Sequence, residues 1–192
     1  NSVWIWGEGT KPQLPAFSDK YGLRGAVISA VDLIKGLGVC AGLEVLEVEG
    51  ATGNINTNFR GKTEAALSAL RNGLDFLYLH LEAPDECGHH QDRENKIRSI
   101  ELIDEQVIKP LISGLEALNE PYRLLFLPDH ATPLALRTHT ADPVPFLLFD
   151  STKPSGSGQL SYHEEAAKET GLFIEVGHTL MDYFLNKTAG GK

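Results

Sequence analysis

Five side chains able to hold a divalent metal fall in three short stretches of this sequence: Asp85 with His89, Asp129 with His130, and His139. Carboxylate and imidazole are hard or borderline donors. A site needs that donor type if it is to activate an oxygen nucleophile and neutralise phosphate oxygens. Asp85 and His89 stand four residues apart with Gly88 between them, and the reading is that a tight turn aims both inward. Asp129 and His130 are adjacent, so their side chains diverge on leaving a strand, which suits two neighbouring metals better than one. His139 would complete the first site as a three-ligand centre with open positions, as catalytic metals require. The plainer alternative is that Asp-His pairs in loops cap helices or line solvated turns, and a single Asp-x-x-x-His has little specificity. The case for metal rests on all three stretches occurring together.

Each stretch lies against a predicted strand. Ala83-Pro-Asp85-Glu-Cys-Gly-His89 follows the apolar run Leu77–Leu81, and Pro128-Asp129-His130-Ala-Thr-Pro133 follows Leu124–Leu127. Arg137-Thr-His139-Thr-Ala-Asp-Pro-Val-Pro145 leads into another strand. Ligands of open α/β sheets gather at the carboxyl ends of strands, where two of these stretches fall. The spacing predicts strands at Val3–Trp6, Gly25–Ile28, Leu43–Glu47, Asp75–Leu81, Arg123–Leu127 and Pro145–Phe149, joined in one open sheet. Ser29 is placed to cap a helix through Asp32 to Lys35 that Gly36 and Gly38 end, and Asn58 to cap one that Gly73 closes. The longest helix is expected from about Arg93 to Leu118, with Ile97, Ile100, Ile103, Val107 and Ile108 on one face and a kink or break at Pro110. Glu164–Thr170 and Val176–Leu185 read as helices, Lys153–Gly158 as a surface loop, and Gly190-Gly-Lys192 as a frayed tail.

The 192 residues suffice for one domain with a core, and 42% hydrophobic with 22% charged residues is ordinary for a globular protein. A formal charge of -9 argues against nucleic acid or an anionic membrane surface as partner. It does not exclude a phosphorylated substrate, because bound metal ions can outweigh the global field. Two cysteines, Cys40 and Cys87, are too few for a disulfide framework and point to the cytosol. No apolar run reaches membrane-span length. The apolar opening Asn1-Ser-Val-Trp-Ile-Trp6 reads as the middle of a strand and predicts further polypeptide ahead of it.

The stretches Asp85-Glu-Cys-Gly-His89, Leu127-Pro-Asp129-His130-Ala-Thr-Pro133 and Thr138-His139-Thr-Ala-Asp-Pro-Val-Pro-Phe146 closely resemble the cofactor-independent phosphoglycerate mutases of the archaeal-type branch, within the alkaline-phosphatase superfamily. Trp6-Gly-Glu-Gly9, Tyr21-Gly-Leu, Leu33-Ile-Lys-Gly36, Ala51-Thr-Gly53, Thr57-Asn58, Gly61-Lys62 and Gly177-His178 extend the likeness along nearly the whole chain. The resemblance implies a three-layer αβα domain with a mainly parallel sheet, of which residues 1–192 form a C-terminal segment of the metal-binding phosphotransferase part. It implies Asp85, His89 and His139 on one divalent metal and Asp129 and His130 on a second. Manganese is the first expectation for both, with magnesium, cobalt or zinc as alternatives. It further implies glycolytic interconversion of 3- and 2-phosphoglycerate through a phosphoserine. The family's nucleophilic serine and another metal-binding aspartate lie in an N-terminal remainder, and Ser29, Ser68, Ser99 and Ser113 do not match that serine's motif. The rival readings are a phosphatase, phosphodiesterase or phosphopentomutase on the same metal site, or a metal-binding fragment without chemistry of its own.

Lys35, Lys62 and Arg137 are the candidates for contacting substrate phosphate or carboxylate, with solvated side chains as the commoner alternative. Gly61-Lys62-Thr63 imitates the end of a phosphate-binding loop, but that motif needs glycine at position 56, where Asn56 stands. His80 is placed to orient a ligand from behind, while His90, His163 and His178 read as solvent-facing, capping or packing residues. Cys87 is set aside as a ligand because its neighbours favour a harder ion.

Overall fold

The computed structural model describes residues 9–153, 156, 158–159 and 161–185. The strand expected at Val3–Trp6, with Trp4 and Trp6, and the tail Gly190-Gly-Lys192 lie outside them, as does part of the loop Lys153–Gly158. The chain divides into two compact units. One holds residues up to Cys87 together with Asp92–Gly114, and the other holds Gly88–Gln91 together with the chain from Leu115 onward.

The first unit is an α/β layer. Its elements run α1 (Phe17–Tyr21), β1 (Gly25–Ile28), α2 (Asp32–Cys40), β2 (Glu44–Val45), α3 (Phe59–Arg71), β3 (Phe76–Leu79), the start of α4 (Ala83–His89) and α5 (Arg93–Ile103). Strands β2, β1 and β3 form a parallel sheet in that order, with Ala26 opposite Glu44 and Leu77. The central strand β1 is wholly buried, which is why it reads as an unbroken apolar run. Parallel neighbours require crossover connections, and α2 and α3 supply them. The short helix α1, which the spacing does not predict, packs Phe17 against Phe76 with ring centroids 4.4 Å apart.

Two helix expectations need correction. α2 runs through Gly36 and Gly38 to Cys40 and begins after Val31, so neither glycine ends it and Ser29 does not cap it. The reason is packing: a Cβ on Gly38 would come 2.5 Å from Val27 Cγ1, so glycine lets the helix lie close on β1. Ser29 instead accepts the N–H of Val31 at 3.0 Å, just short of the helix. Asn58 caps α3 as expected, accepting the Gly61 N–H at 2.8 Å, which places Gly61-Lys62-Thr63 inside a helix and not in a phosphate loop.

The long helix is not broken at Pro110: α5 passes through a π turn, Asp104–Ile108, into α6 (Lys109–Leu118). Proline has no N–H for the carbonyl of Gln106, four residues back. That carbonyl lies within reach of the buried Thr63 hydroxyl, whose single hydrogen is shared between it at 3.0 Å and the Phe59 carbonyl at 3.1 Å. The buried face also differs from the expected one. Ser99, Ile103 and Val107, spaced four apart, point inward, while Ile97 and Ile100 are exposed. The wider π turn offsets the angular drift of a four-residue spacing and keeps Leu111 buried on the same line.

The second unit holds β4 (Arg123–Phe126), β5 (Leu147–Asp150), α7 (Glu164–Glu169), a 3₁₀ turn at Gly177–Thr179 and α8 (Leu180–Phe184). The parallel sheet agrees with the expected α/β class, but β4 and β5 do not extend it. They form their own antiparallel pair. Antiparallel register sets Arg123 opposite Asp150, and the guanidinium donates to that carboxylate at 2.9 and 2.7 Å. His163 caps α7, its Nδ1 accepting the Ala166 N–H at 3.3 Å. No helix among the described residues is long and apolar enough to cross a membrane.

Two outcomes follow. Thr63→Val, nearly isosteric, strips the Gln106 carbonyl of its donor and should cost about 1–3 kcal/mol in urea unfolding, whereas Thr63→Ser should recover most of the loss. Hydrogen bonds from the Thr152 hydroxyl and N–H, followed by the Arg123 guanidinium, hold the Asp150 carboxyl down at about 2 from an ordinary 3.8. A depressed carboxyl contributes stability that is full above its unfolded value and lost as pH falls through its folded one. Asp150→Asn should therefore flatten the acid limb of stability between about 3.8 and 2, as read by thermal melts across that window.

Candidate metal centre

Asp85 and His89 do not sit on a tight turn. The chain leaves β3 and enters α4 three residues later, the carbonyl of Glu82 accepting the N–H of Asp85 at 2.9 Å and of Glu86 at 3.2 Å. Pro84 falls in the first turn, where its missing N–H costs nothing. The four-residue spacing therefore stacks Asp85 and His89 on one helix face, one turn apart. Gly88 belongs to the helix and is not the hinge expected of it.

The start of α4 is held inside the first unit. Lys96 on α5 donates to the Pro84 carbonyl at 2.9 Å. Burial lowers the pKa of its ammonium, and nearby Asp85 partly offsets that. Burial, followed by the charge of Asp92, raises the thiol of Cys87.

In the second unit three imidazoles converge. His89 Nε2 lies 3.1 Å from His139 Nε2, and the His130 ring stacks on His139 with centroids 3.6 Å apart. An isolated antiparallel bridge between Ala131 and Thr140 draws the stretch after β4 alongside the stretch around His139. Thr132, buried and missed from the sequence, places its hydroxyl 3.2 Å from His130 Nδ1. Asp129 and His130 do not diverge fully: the carboxylate accepts the His130 N–H at 3.1 Å, and a second oxygen lies 3.5 Å from His130 Nε2.

His89 Nδ1 lies 2.9 Å from the carbonyl oxygen of Arg137. A carbonyl only accepts, so Nδ1 carries a hydrogen and Nε2 is the nitrogen that faces His139. Two imidazole nitrogens at 3.1 Å need a proton or a cation between them. With carboxylates at Asp85 and Asp129 nearby in sequence, the donor set fits a borderline or hard divalent ion.

The three substrate-contact candidates meet different surroundings. Lys35 donates to both carboxylate oxygens of Glu47, at 3.0 and 2.8 Å. Lys62 is fully buried, donates to the His80 carbonyl at 3.2 Å, and has its pKa lowered by burial against the opposing charge of Glu82. Arg137 has a left-handed backbone with φ of 56° and bonds Gln91 through its guanidinium. His80 Nδ1 sits 3.2 Å from the Ser29 hydroxyl and 3.7 Å from the Glu82 carboxylate, so the carboxyl ends of β1 and β3 carry a polar cluster within the first unit. Its members are scattered in sequence, and only the order of the strands brings them together.

The chain is similar to known proteins along nearly its whole length. A family model described as the Metalloenzyme superfamily matches residues 1–188. The chain is 51% identical over 97% of its length to a probable 2,3-bisphosphoglycerate-independent phosphoglycerate mutase of Geobacter sulfurreducens, and covers 46% of that protein. It is 52% identical over 94% of its length to the 2,3-bisphosphoglycerate-independent phosphoglycerate mutase of Methanothrix thermoacetophila, again covering 46%. The chain thus spans about half the length of the curated relatives it matches. Among solved structures, the PH0037 protein from Pyrococcus horikoshii superposes with a TM-score of 0.83 at 29% identity, over 96% of this chain and 56% of that one. A cofactor-independent phosphoglycerate mutase from Thermoplasma acidophilum shares the fold, with a TM-score of 0.63 at 20% identity, over 91% of this chain and 39% of that one.

Proposed function

The chain belongs to the Metalloenzyme superfamily, and on that premise we propose that it supplies the metal-holding side of a 2,3-bisphosphoglycerate-independent phosphoglycerate mutase. In this reading residues 1–192 are one segment of a metal-binding phosphotransferase domain. The complete protein interconverts 3-phosphoglycerate and 2-phosphoglycerate in the cytosol. The observation that carries the proposal is the pair of imidazoles, with His89 Nδ1 committed to a carbonyl and its Nε2 facing His139 Nε2 at 3.1 Å. The names of the relatives supply the choice of reaction.

His89 and His139 would hold one divalent ion, with Asp85, a helical turn ahead of His89, as the third ligand. Asp129 and His130 would hold a second, whose remaining ligands lie elsewhere in the complete protein. Manganese suits the mixed carboxylate and imidazole donors, and magnesium, cobalt and zinc are the alternatives. When bound, such ions supply charge that steadies a serine alkoxide and the oxygens of a transferring phosphoryl group. This chain's own part is to bind and orient. α4 presents Asp85 and His89 along one line, and the stacked His130 and His139 rings fix each other's planes. The serine that takes up the phosphoryl group would come from the remainder of the protein. Arg137, beside His139, is the most exposed of the three candidates for the substrate's anionic groups. Each would have to leave a present partner: Arg137 the Gln91 side chain, Lys35 Glu47, and buried Lys62 the His80 carbonyl.

Two measurements test this. Calorimetric titration of manganese should show binding that Asp85→Ala and His139→Ala each weaken by more than the roughly 10–100-fold typical of outer-shell changes. Binding indifferent to both substitutions would remove the metal assignment. The complete protein, given 3-phosphoglycerate and coupled to enolase, should form 2-phosphoglycerate. Release of inorganic phosphate without it would favour a phosphatase instead.

A further inference from the structure

We infer that Arg137 is a positioning residue, and that its left-handed backbone, not its guanidinium, sets the tautomer and aim of His89. The inference rests on the reading that His89 and His139 hold metal. Both the Leu136 and the Arg137 N–H bond the Pro133 carbonyl at 3.0 Å, which closes a tight turn. The chain leaves that turn through Arg137 at φ 56°, a conformation that side chains with a Cβ seldom adopt. This reversal presents the Arg137 carbonyl to His89 Nδ1 at 2.9 Å and leads to His139 two residues later. With an acceptor-only oxygen at Nδ1, the hydrogen is fixed there and Nε2 is the nitrogen turned toward His139, 3.1 Å from its Nε2.

The other end of the contact is built the same way. Gln91 follows α4 with φ 56°, and its N–H bonds the Gly88 carbonyl at 3.2 Å. The Arg137 guanidinium donates to the Gln91 side-chain oxygen, tying the turn after His89 to the turn before His139. Two non-glycine residues in left-handed backbone, joined side chain to side chain, bracket one histidine contact. Strained backbone persists where surrounding structure over-determines it, and here it delivers a carbonyl to a ligand nitrogen. In this account the arginine side chain is a tether, and the carbonyl does the orienting.

The test separates backbone from side chain by choice of substitution. Arg137→Gly and Arg137→Asn both lose the guanidinium but accept positive φ, whereas Arg137→Val loses it and resists positive φ through its branched Cβ. In the full chain without metal, at a pH above the histidine range, long-range proton–nitrogen spectra should show His89 protonated at Nδ1 in the wild type, Arg137→Gly and Arg137→Asn. In Arg137→Val the hydrogen should redistribute toward Nε2. Manganese affinity should stay within about threefold of wild type in Arg137→Gly and fall roughly 10–100-fold in Arg137→Val. If Arg137→Gly and Arg137→Val lose affinity alike while His89 stays protonated at Nδ1, the guanidinium is the active group and the inference is overturned. Should Arg137→Val fail to fold, Arg137→Ala replaces it, with the same ordering and a smaller step. A wild type that takes no manganese would sink the proposed function, yet the tautomer comparison would still decide the role of Arg137.

Discussion

Three residues separate the end of β3 from the start of helix α4, and that short passage governs how the stretch carrying Asp85 begins. β3 is fixed by its parallel pairing with β1, from Gly25 opposite Phe76 to Ile28 opposite Leu79. The connection has no slack. Lys62 holds the His80 carbonyl, Ala83 is fully buried, and Lys96 holds the Pro84 carbonyl. The start of the helix, with Asp85 in its first turn, is therefore held from both sides within the first unit. Both anchoring lysines are buried enough for desolvation to lower their pKa, so the passage is held by cations that the fold stabilises at some cost. That is a use of lysine for building, and it accounts for Lys62 lying under the sheet edge and not at an open surface.

The histidines take their order from a second constraint, the donor and acceptor accounting of neutral imidazole. One ring nitrogen must donate and the other accept. The Arg137 carbonyl takes the Nδ1 hydrogen of His89, and Nε2 is the nitrogen turned to His139. The bridge between Ala131 and Thr140 then sets the spacing of His130 and His139, and the stack of their rings follows. Membership of the Metalloenzyme superfamily and a pair of facing imidazoles are each compatible with metal binding.

Much of this was legible in the sequence, and the failures have physical causes. β1 was readable to the residue because a strand buried on both faces must be apolar throughout. The Asn58 cap was readable because its side chain acts on a neighbour three residues away. Gly36 and Gly38 misled because a packing glycine and a terminating glycine look alike until Val27 is seen pressing on Gly38. The stretch from Ala83 to His89 was read as a turn because Pro84 and Gly88 are turn residues, although proline is equally at home in a helix's first turn. The four-residue spacing of Asp85 and His89 is the same under either reading. The antiparallel pairing of β4 with β5 and the carbonyl contact to His89 depend on partners 27 and 48 residues away, beyond any local signal.

The central claim is that His89 and His139 face each other as a ligand pair through their Nε2 atoms. Diffraction from crystals soaked in manganese, with anomalous differences collected at the metal's absorption edge, addresses it directly. The account predicts a peak within coordination distance of both Nε2 atoms, with His89 Nδ1 still on the Arg137 carbonyl. A peak bound through His89 Nδ1, or none between the two rings in fully soaked crystals, would contradict it.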